Sequence, residues 1–268
     1  KKHGKCIHLE NVYNGEAAIE CYIRYKNPKY LTIIEEYVTY LKQYRTDKEG
    51  SLPYFDKGYD ILVDGLMICP FIFSYCKRIN NDMELRNIGY KQIVNFIKHG
   101  LDNYSNLPFH AYNFEDNTLL GISGWGRGVG WFLSSVSISL SYMSLDDMNY
   151  ELIKTNFERV CKSALKYQNQ DGLFYWQIQN QKGIIDTSAT SMILYAIGLA
   201  INSSVLDESY KEQVRRGCKG IKRYIVDGVV TQAMGDCRGI AMYPQFEYGS
   251  WPWSNGFYLL LQTEVSKF

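Results

Sequence analysis

Gly124-Trp125-Gly126-Arg127-Gly128-Val129-Gly130-Trp131 decides how the rest of the chain is read. Its four glycines, two tryptophans and one arginine run directly into an apolar stretch, residues 132–140. Glycine lets a backbone turn steeply or come close to a ligand. A helix beginning just after the glycines points its free N–H groups at the same spot. Trp beside Arg offers a flat apolar face and a forked cation, which suits a ring-shaped or anionic ligand. A loop packed by two core tryptophans, with Arg127 in a structural ion pair, accounts for the octapeptide equally well. The flanking sequence tips the balance.

Working outward, the stretch has counterparts elsewhere in the chain. Three segments share a turn-plus-aromatic signature: Glu49-Gly50-Ser51-Leu52-Pro53-Tyr54-Phe55, Ser105-Asn106-Leu107-Pro108-Phe109-His110 and Asp171-Gly172-Leu173-Phe174-Tyr175-Trp176. Each leads through a short loop into a nearly all-apolar helix, expected at residues 64–75, 130–142 and 186–201. A fainter fourth copy starts at Asp227-Gly228-Val229 and reaches its helix near Trp253-Ser254-Asn255-Gly256. At the other end, Glu10-Asn11-Val12-Tyr13-Asn14-Gly15 reads as the tail of a further copy, after a loop over residues 1–11.

Between these lie amphipathic helices. Residues 28–44 place Tyr30, Leu31, Ile33, Ile34, Tyr37, Val38 and Leu41 at three-four spacing, which leaves one wet face. Residues 83–98, 148–167 and 208–225 follow the same pattern, and a first helix is expected at 15–25. A helix that is apolar all round is buried all round. Wet and dry helices therefore alternate, about nine in all. That alternation predicts an all-α fold, an (α/α)6 toroid of helical hairpins in which dry helices form the inner ring. An open solenoid alternates too, but its repeats are usually about 20–50 residues long. With no linker or charge block, residues 1–268 read as one domain; a first residue that is Lys, not Met, predicts a toroid short of its first hairpin.

Composition narrows the functional classes. A formal net charge of +1 gives no electrostatic case for nucleic acid or an anionic membrane. No run of about 18 apolar residues exists to span a bilayer. Seven cysteines, an odd number without close pairs, argue against a disulfide framework and point to a reducing, cytoplasmic compartment. No Cys/His cluster has zinc spacing, so neither metal nor cofactor is expected. The 23 tyrosines make an aromatic surplus that suits either a core or sugar stacking.

In a ring of hairpins all inner helices run the same way, and their N-termini share one rim. The residues at those helix starts are Glu10, Asp64, Trp125 with Arg127, Asp186, and Trp253 with Ser254; His110 lies on the same rim. Convergence there would gather acids, an arginine, a histidine and indoles around one pocket. Carboxylates in unlike environments can divide acid and base roles, and Arg127 could grip a substrate carboxylate bidentately. Singly, each has a plain reading: Asp64 and Asp186 as helix caps, the tryptophans Trp125, Trp131 and Trp253 as core.

Residues 125–131 resemble the Trp-x-Arg-Gly-Asn-Gly-Trp signature of the unsaturated glucuronyl and rhamnogalacturonyl hydrolases, glycoside hydrolase families 88 and 105. Val63-Asp64-Gly65-Leu66-Met67-Ile68-Cys69-Pro70-Phe71 is similar to their Asp-Gly-Leu-Tyr-Met-x-x-Pro-Phe, and Asp186-Thr187-Ser188-Ala189-Thr190-Ser191-Met192 to their Glu-Thr-Ser-Ala-Ser-Ala-Met. The resemblance implies an (α/α)6 barrel that removes Δ4,5-unsaturated uronyl residues from the non-reducing end of uronic-acid-containing oligosaccharides. It implies Asp64 as general acid and base and Glu10 as the second catalytic acid. His110, Trp125, Arg127, Trp131, Asp186 and Trp253 would bind substrate. Three departures stand out: Val129 for the signature Asn, Leu62 where a Trp is common, and Glu10 for Asp. They motivate a rival reading, a toroid that binds saccharide without cleaving it; a related toroid enzyme acting on a saturated uronide is a further alternative.

Overall fold

The computed structural model describes residues 8–268. The expected loop over residues 1–11 lies partly outside them, and Leu9–Asn14 is instead a 3-10 turn. Nine α-helices follow among the described residues: α1 (Gly15–Tyr25), α2 (Pro28–Gln43), α3 (Ile68–Arg78), α4 (Met83–His99), α5 (Gly126–Tyr142), α6 (Tyr150–Leu165), α7 (Thr187–Asn202), α8 (Lys211–Ile221) and α9 (Pro252–Val265). The odd-numbered helices form the inner layer, α1 packing on α3, α3 on α5, α5 on α7 and α7 on α9. The even-numbered helices lie outside them, α2 against α4 and α4 against α6.

Local chemistry sets several boundaries. Asn27 caps α2 by accepting from Lys29 N, with Pro28 at the first helical position, where its missing N–H costs nothing. Asp82 caps α4 through Leu85 N, and Asp186 caps α7 through Ser188 N. Each cap supplies an acceptor to a donor the helix leaves unpaired.

The glycines of the 124–131 stretch serve helix packing rather than a ligand. A Cβ on Gly126 would stand 2.7 Å from Ala189 Cβ, and one on Gly130 2.6 Å from Met192 Cβ. Both glycines thus let α5 press directly on α7. Buried serines continue the close approach: Ser134 Oγ donates across to Met192 O at 3.2 Å, while Ser135 and Ser139 return their hydroxyls to α5's own carbonyls. Only Gly124 needs its conformational freedom, with φ at +71° in the turn just before α5.

One helix departs from expectation. The last inner helix was expected to be buried all round, yet Leu259 and Leu260 on α9 are 64% and 44% exposed. With Trp131, Trp253 and Phe257 they line an open apolar groove along the flank of the helix layer.

Short strands at the rim were not anticipated. β1 (Asp60–Leu62), β2 (Phe109–Asn113) and β3 (Leu119–Ser123) form an antiparallel sheet in the order β1-β2-β3. β4 (Ile225–Val226) pairs with β5 (Val229–Val230), and β6 (Ala233–Met234) with β7 (Tyr248–Gly249). The three-stranded sheet matters most. Leu62 pairs with Ala111, and Phe109 with Ser123. That register brings the segments carrying Asp64, His110 and Trp125 side by side.

Candidate active site

Asp64 sits in a 3-10 turn, Val63–Met67, between β1 and α3 rather than in the α-helix itself. Tyr13 Oη donates to its main-chain oxygen at 2.7 Å and holds the turn in place. Its carboxylate oxygen Oδ2 is buried and has no hydrogen-bond partner among the described residues. The nearest cationic or imidazole nitrogen to it among the described residues is His110 Nε2, at 3.6 Å. That spacing falls just beyond a hydrogen bond.

A pocket of about 580 Å³ opens over this carboxylate. Its lining includes Glu10, Asp64, His110, Trp125, Arg127, Trp131 and Trp253, seven residues from five separate parts of the chain. Trp125 is 2% exposed, and its ring lies 4.3 Å from the His110 ring, centroid to centroid. Trp253 stacks on Trp251 at 5.2 Å with the planes nearly parallel. The indole nitrogens of Trp125, Trp131 and Trp253 are, like Asp64 Oδ2, buried and without a hydrogen-bond partner among the described residues. Native interiors leave few polar atoms unpaired. Three donors and one carboxylate acceptor are left in that state around a single pocket.

Glu10 lies across the mouth and accepts a hydrogen bond from Tyr54 Oη. Burial pushes the Tyr13 and Tyr54 phenols well above their ordinary range, and the two carboxylates add to the effect. Both tyrosines therefore remain protonated donors, one to each acid's segment.

Three residues are placed differently from expectation. Arg127 does not offer a free fork to the pocket: Nη1 donates to Met234 O at 2.8 Å and Nη2 to Gly235 O at 2.9 Å. The guanidinium is sandwiched between the rings of Trp125 and Trp253, at 4.9 and 5.2 Å from their centroids. Its charge reaches the pocket, but its donors brace the segment after β6. Asp186 is fully buried beneath the pocket and does not line it. Its Oδ1 accepts from Ser188 N, Ser188 Oγ and Met234 N. Met234 is thus clamped through both its main-chain groups, its N–H by Asp186 and its carbonyl by Arg127. Ser254 is likewise buried, bonded to main-chain oxygens.

Residues 235–247, between β6 and β7, bring five unforeseen residues to the wall: Asp236, Cys237, Arg238, Gly239 and Ile240. Burial pushes the Cys237 thiol up to about 12, so it stays protonated. Tyr243 on the same segment meets His110 Nδ1 at 2.9 Å. Tyr13 also lines the pocket. The tyrosine surplus was the available signal for Tyr13, Tyr54 and Tyr243, though nothing in their spacing separated them from core residues.

Alternating inner and outer helices thus carry a carboxylate, an imidazole and indole faces to one pocket where inner helices begin. The family model for Glycosyl Hydrolase Family 88 matches residues 1–268, and the chain belongs to that family. It is a glycoside hydrolase by that membership. Solved structures share the fold. A possible family 105 member from Salmonella enterica superposes with a TM-score of 0.91 at 17% identity, covering 99% of this chain and 73% of its own. A family 105 glycoside hydrolase from C. acetobutylicum gives 0.87 at 20% identity, covering 97% and 80%. The unsaturated glucuronyl hydrolase of Bacillus sp. GL1, responsible for glycosaminoglycan degradation, gives 0.76 at 18%, covering 97% and 75%. The all-α expectation is therefore met, and the fold is the one these family 88 and 105 structures share. Among the described residues, no helix is long and apolar enough to cross a membrane.

Proposed function

We propose that the pocket hydrolyses oligosaccharides ending in a Δ4,5-unsaturated uronyl residue, with Asp64 as general acid and base. The supporting observation is Asp64 Oδ2, a buried carboxylate oxygen without a hydrogen-bond partner among the described residues, facing His110 in a pocket walled by indoles. A carboxyl group so placed is free to carry a proton to a substrate atom. It would protonate C4 of the vinyl ether, leaving positive charge shared by C5 and the ring oxygen. Water then adds at C5 and returns its proton to Asp64. The resulting hemiketal opens and releases the rest of the sugar chain. Hydration of an alkene does the work here, unlike the paired-carboxylate displacement of ordinary glycosidases.

Other residues take supporting parts in this reading. Glu10, held by Tyr54, would accept from sugar hydroxyls or from the water. Trp125, Trp131 and Trp253 would form the apolar wall against the sugar. Arg127 would supply positive charge for the uronate, although its fork is already engaged with the main chain.

Lyase-generated oligosaccharides provide the test. The conjugated double bond's ultraviolet absorbance should fall on mixing, with one water added per bond lost. In heavy water the product should carry one deuterium at C4. The same oligosaccharides with saturated ends should be inert. Tight binding with no turnover at any pH would instead favour the saccharide-binding alternative.

A further inference from the structure

Tyr243 stands outside the set of residues that would touch substrate, yet its hydroxyl is tied to the site at two points. Ile122 N donates to Tyr243 Oη at 3.2 Å, and Oη lies 2.9 Å from His110 Nδ1. The first bond favours one direction for the second, since a phenol oxygen that accepted from both neighbours would leave its own proton unpaired. An amide N–H can only donate, so the phenol oxygen accepts there. The phenol's one proton then has a single acceptor among the described residues' hydrogen bonds, His110 Nδ1. Burial pushes the Tyr243 phenol above its ordinary range, so that proton is retained.

The ring is held as firmly as the hydroxyl. It packs 5.6 Å from the His110 ring, 5.7 Å from Trp125 and 5.8 Å from Trp176, centroid to centroid. Gly121, with φ at +77°, makes room: a Cβ there would stand 2.7 Å from Tyr243 Oη and 2.8 Å from His110 Cβ.

We propose that Tyr243 is a positioning residue that sets the tautomer of His110, keeping Nδ1 bare and the proton on Nε2, directed at Asp64 Oδ2. Only one nitrogen of a neutral imidazole carries hydrogen, and a partner at one nitrogen decides the state of the other. With Nε2–H facing Oδ2 across 3.6 Å, the histidine stabilises the carboxylate that forms each time Asp64 gives up its proton. With the other tautomer, two lone pairs would face each other. The tautomer assignment stands on geometry alone; its catalytic consequence rests on the role proposed for Asp64.

Nitrogen-15 NMR of the histidine-labelled protein reads the tautomer directly, with His110→Gln identifying the resonance among four histidines. The wild type should show Nε2–H at His110, near neutral pH. Tyr243→Phe, which keeps the ring and removes only the hydroxyl, should shift that signature towards Nδ1–H. It should also lower kcat by about 10- to 100-fold with KM changed by less than about threefold, the pattern of an interaction made in the transition state. Nδ1–H in the wild type overturns the proposal, and this readout needs no variant to fold. So does an unchanged tautomer in Tyr243→Phe. If instead the tautomers behave as expected while Asp64→Asn keeps full activity, the role given to Asp64 fails and the tautomer assignment survives.

Discussion

Arg127→Lys is the most revealing single substitution, because it keeps the charge and removes the fork. The guanidinium now makes two hydrogen bonds to buried main-chain oxygens, Met234 O at 2.8 Å and Gly235 O at 2.9 Å, and lies between two indoles. A lysine ammonium is a point donor on a stem without the planar fork. It can reach one of the two carbonyls and leaves the other buried and unpaired. A hydrogen bond from a charged group is worth about 1.5–3 kcal/mol, and weaker stacking against the indoles adds about 0.5–1 kcal/mol. The expected loss is therefore about 2–4 kcal/mol. For a chain of this size that lowers Tm by roughly 4–7 °C. Thermal melts followed by near-ultraviolet circular dichroism, which reports the tryptophans, give the readout. Arg238→Lys is the control: its side chain is 77% exposed and pairs with Glu247 at 3.3 Å, so its loss should be nearly silent. A Tm within about 2 °C of wild type for Arg127→Lys would refute the bracing role.

Two further outcomes follow from packing and charge. Gly130→Ala puts a Cβ 2.6 Å from Met192 Cβ, so α5 and α7 must separate; overpacking of this kind costs about 1–3 kcal/mol, read from urea unfolding. Burial raises the Glu16 carboxyl above its ordinary value, despite the 2.6 Å hydrogen bond from Tyr142 Oη. A carboxyl raised in the folded state contributes stability that is fully present below its unfolded pKa and lost as pH rises through its folded one. Glu16→Gln should accordingly melt higher than wild type at neutral pH, with the advantage gone below about pH 4; equal advantage at both pH values would contradict the burial argument.

The helical layers were legible because hydrophobic period reports directly on how many faces of a helix are dry. Residues 28–44 and 64–75 differ in that respect alone, and they became an outer and an inner helix. α9 misled for the same reason: period shows that a face is apolar, not that a neighbour covers it, and Leu259 is exposed. The rim strands escaped because they are two to five residues long, below the length at which alternation stands out. Their loss hid how Asp64 meets His110, since the pairing of Leu62 with Ala111 makes that contact. Arg127 and Asp186 were rightly expected near the rim's helix starts. Their side chains turn to the Met234 peptide instead, a segment more than forty residues further along, and no local pattern encodes such a partner.

The central claim is that Asp64 carries the proton, and Asp64→Asn tests it most directly. Asparagine preserves the shape of the side chain and cannot act as acid or base. On an unsaturated uronyl disaccharide the variant should bind as wild type does, melt at the same temperature, and lose double-bond absorbance about 10³-fold more slowly or less. A variant that still consumes the double bond within about tenfold of the wild-type rate would show that some other group does the chemistry.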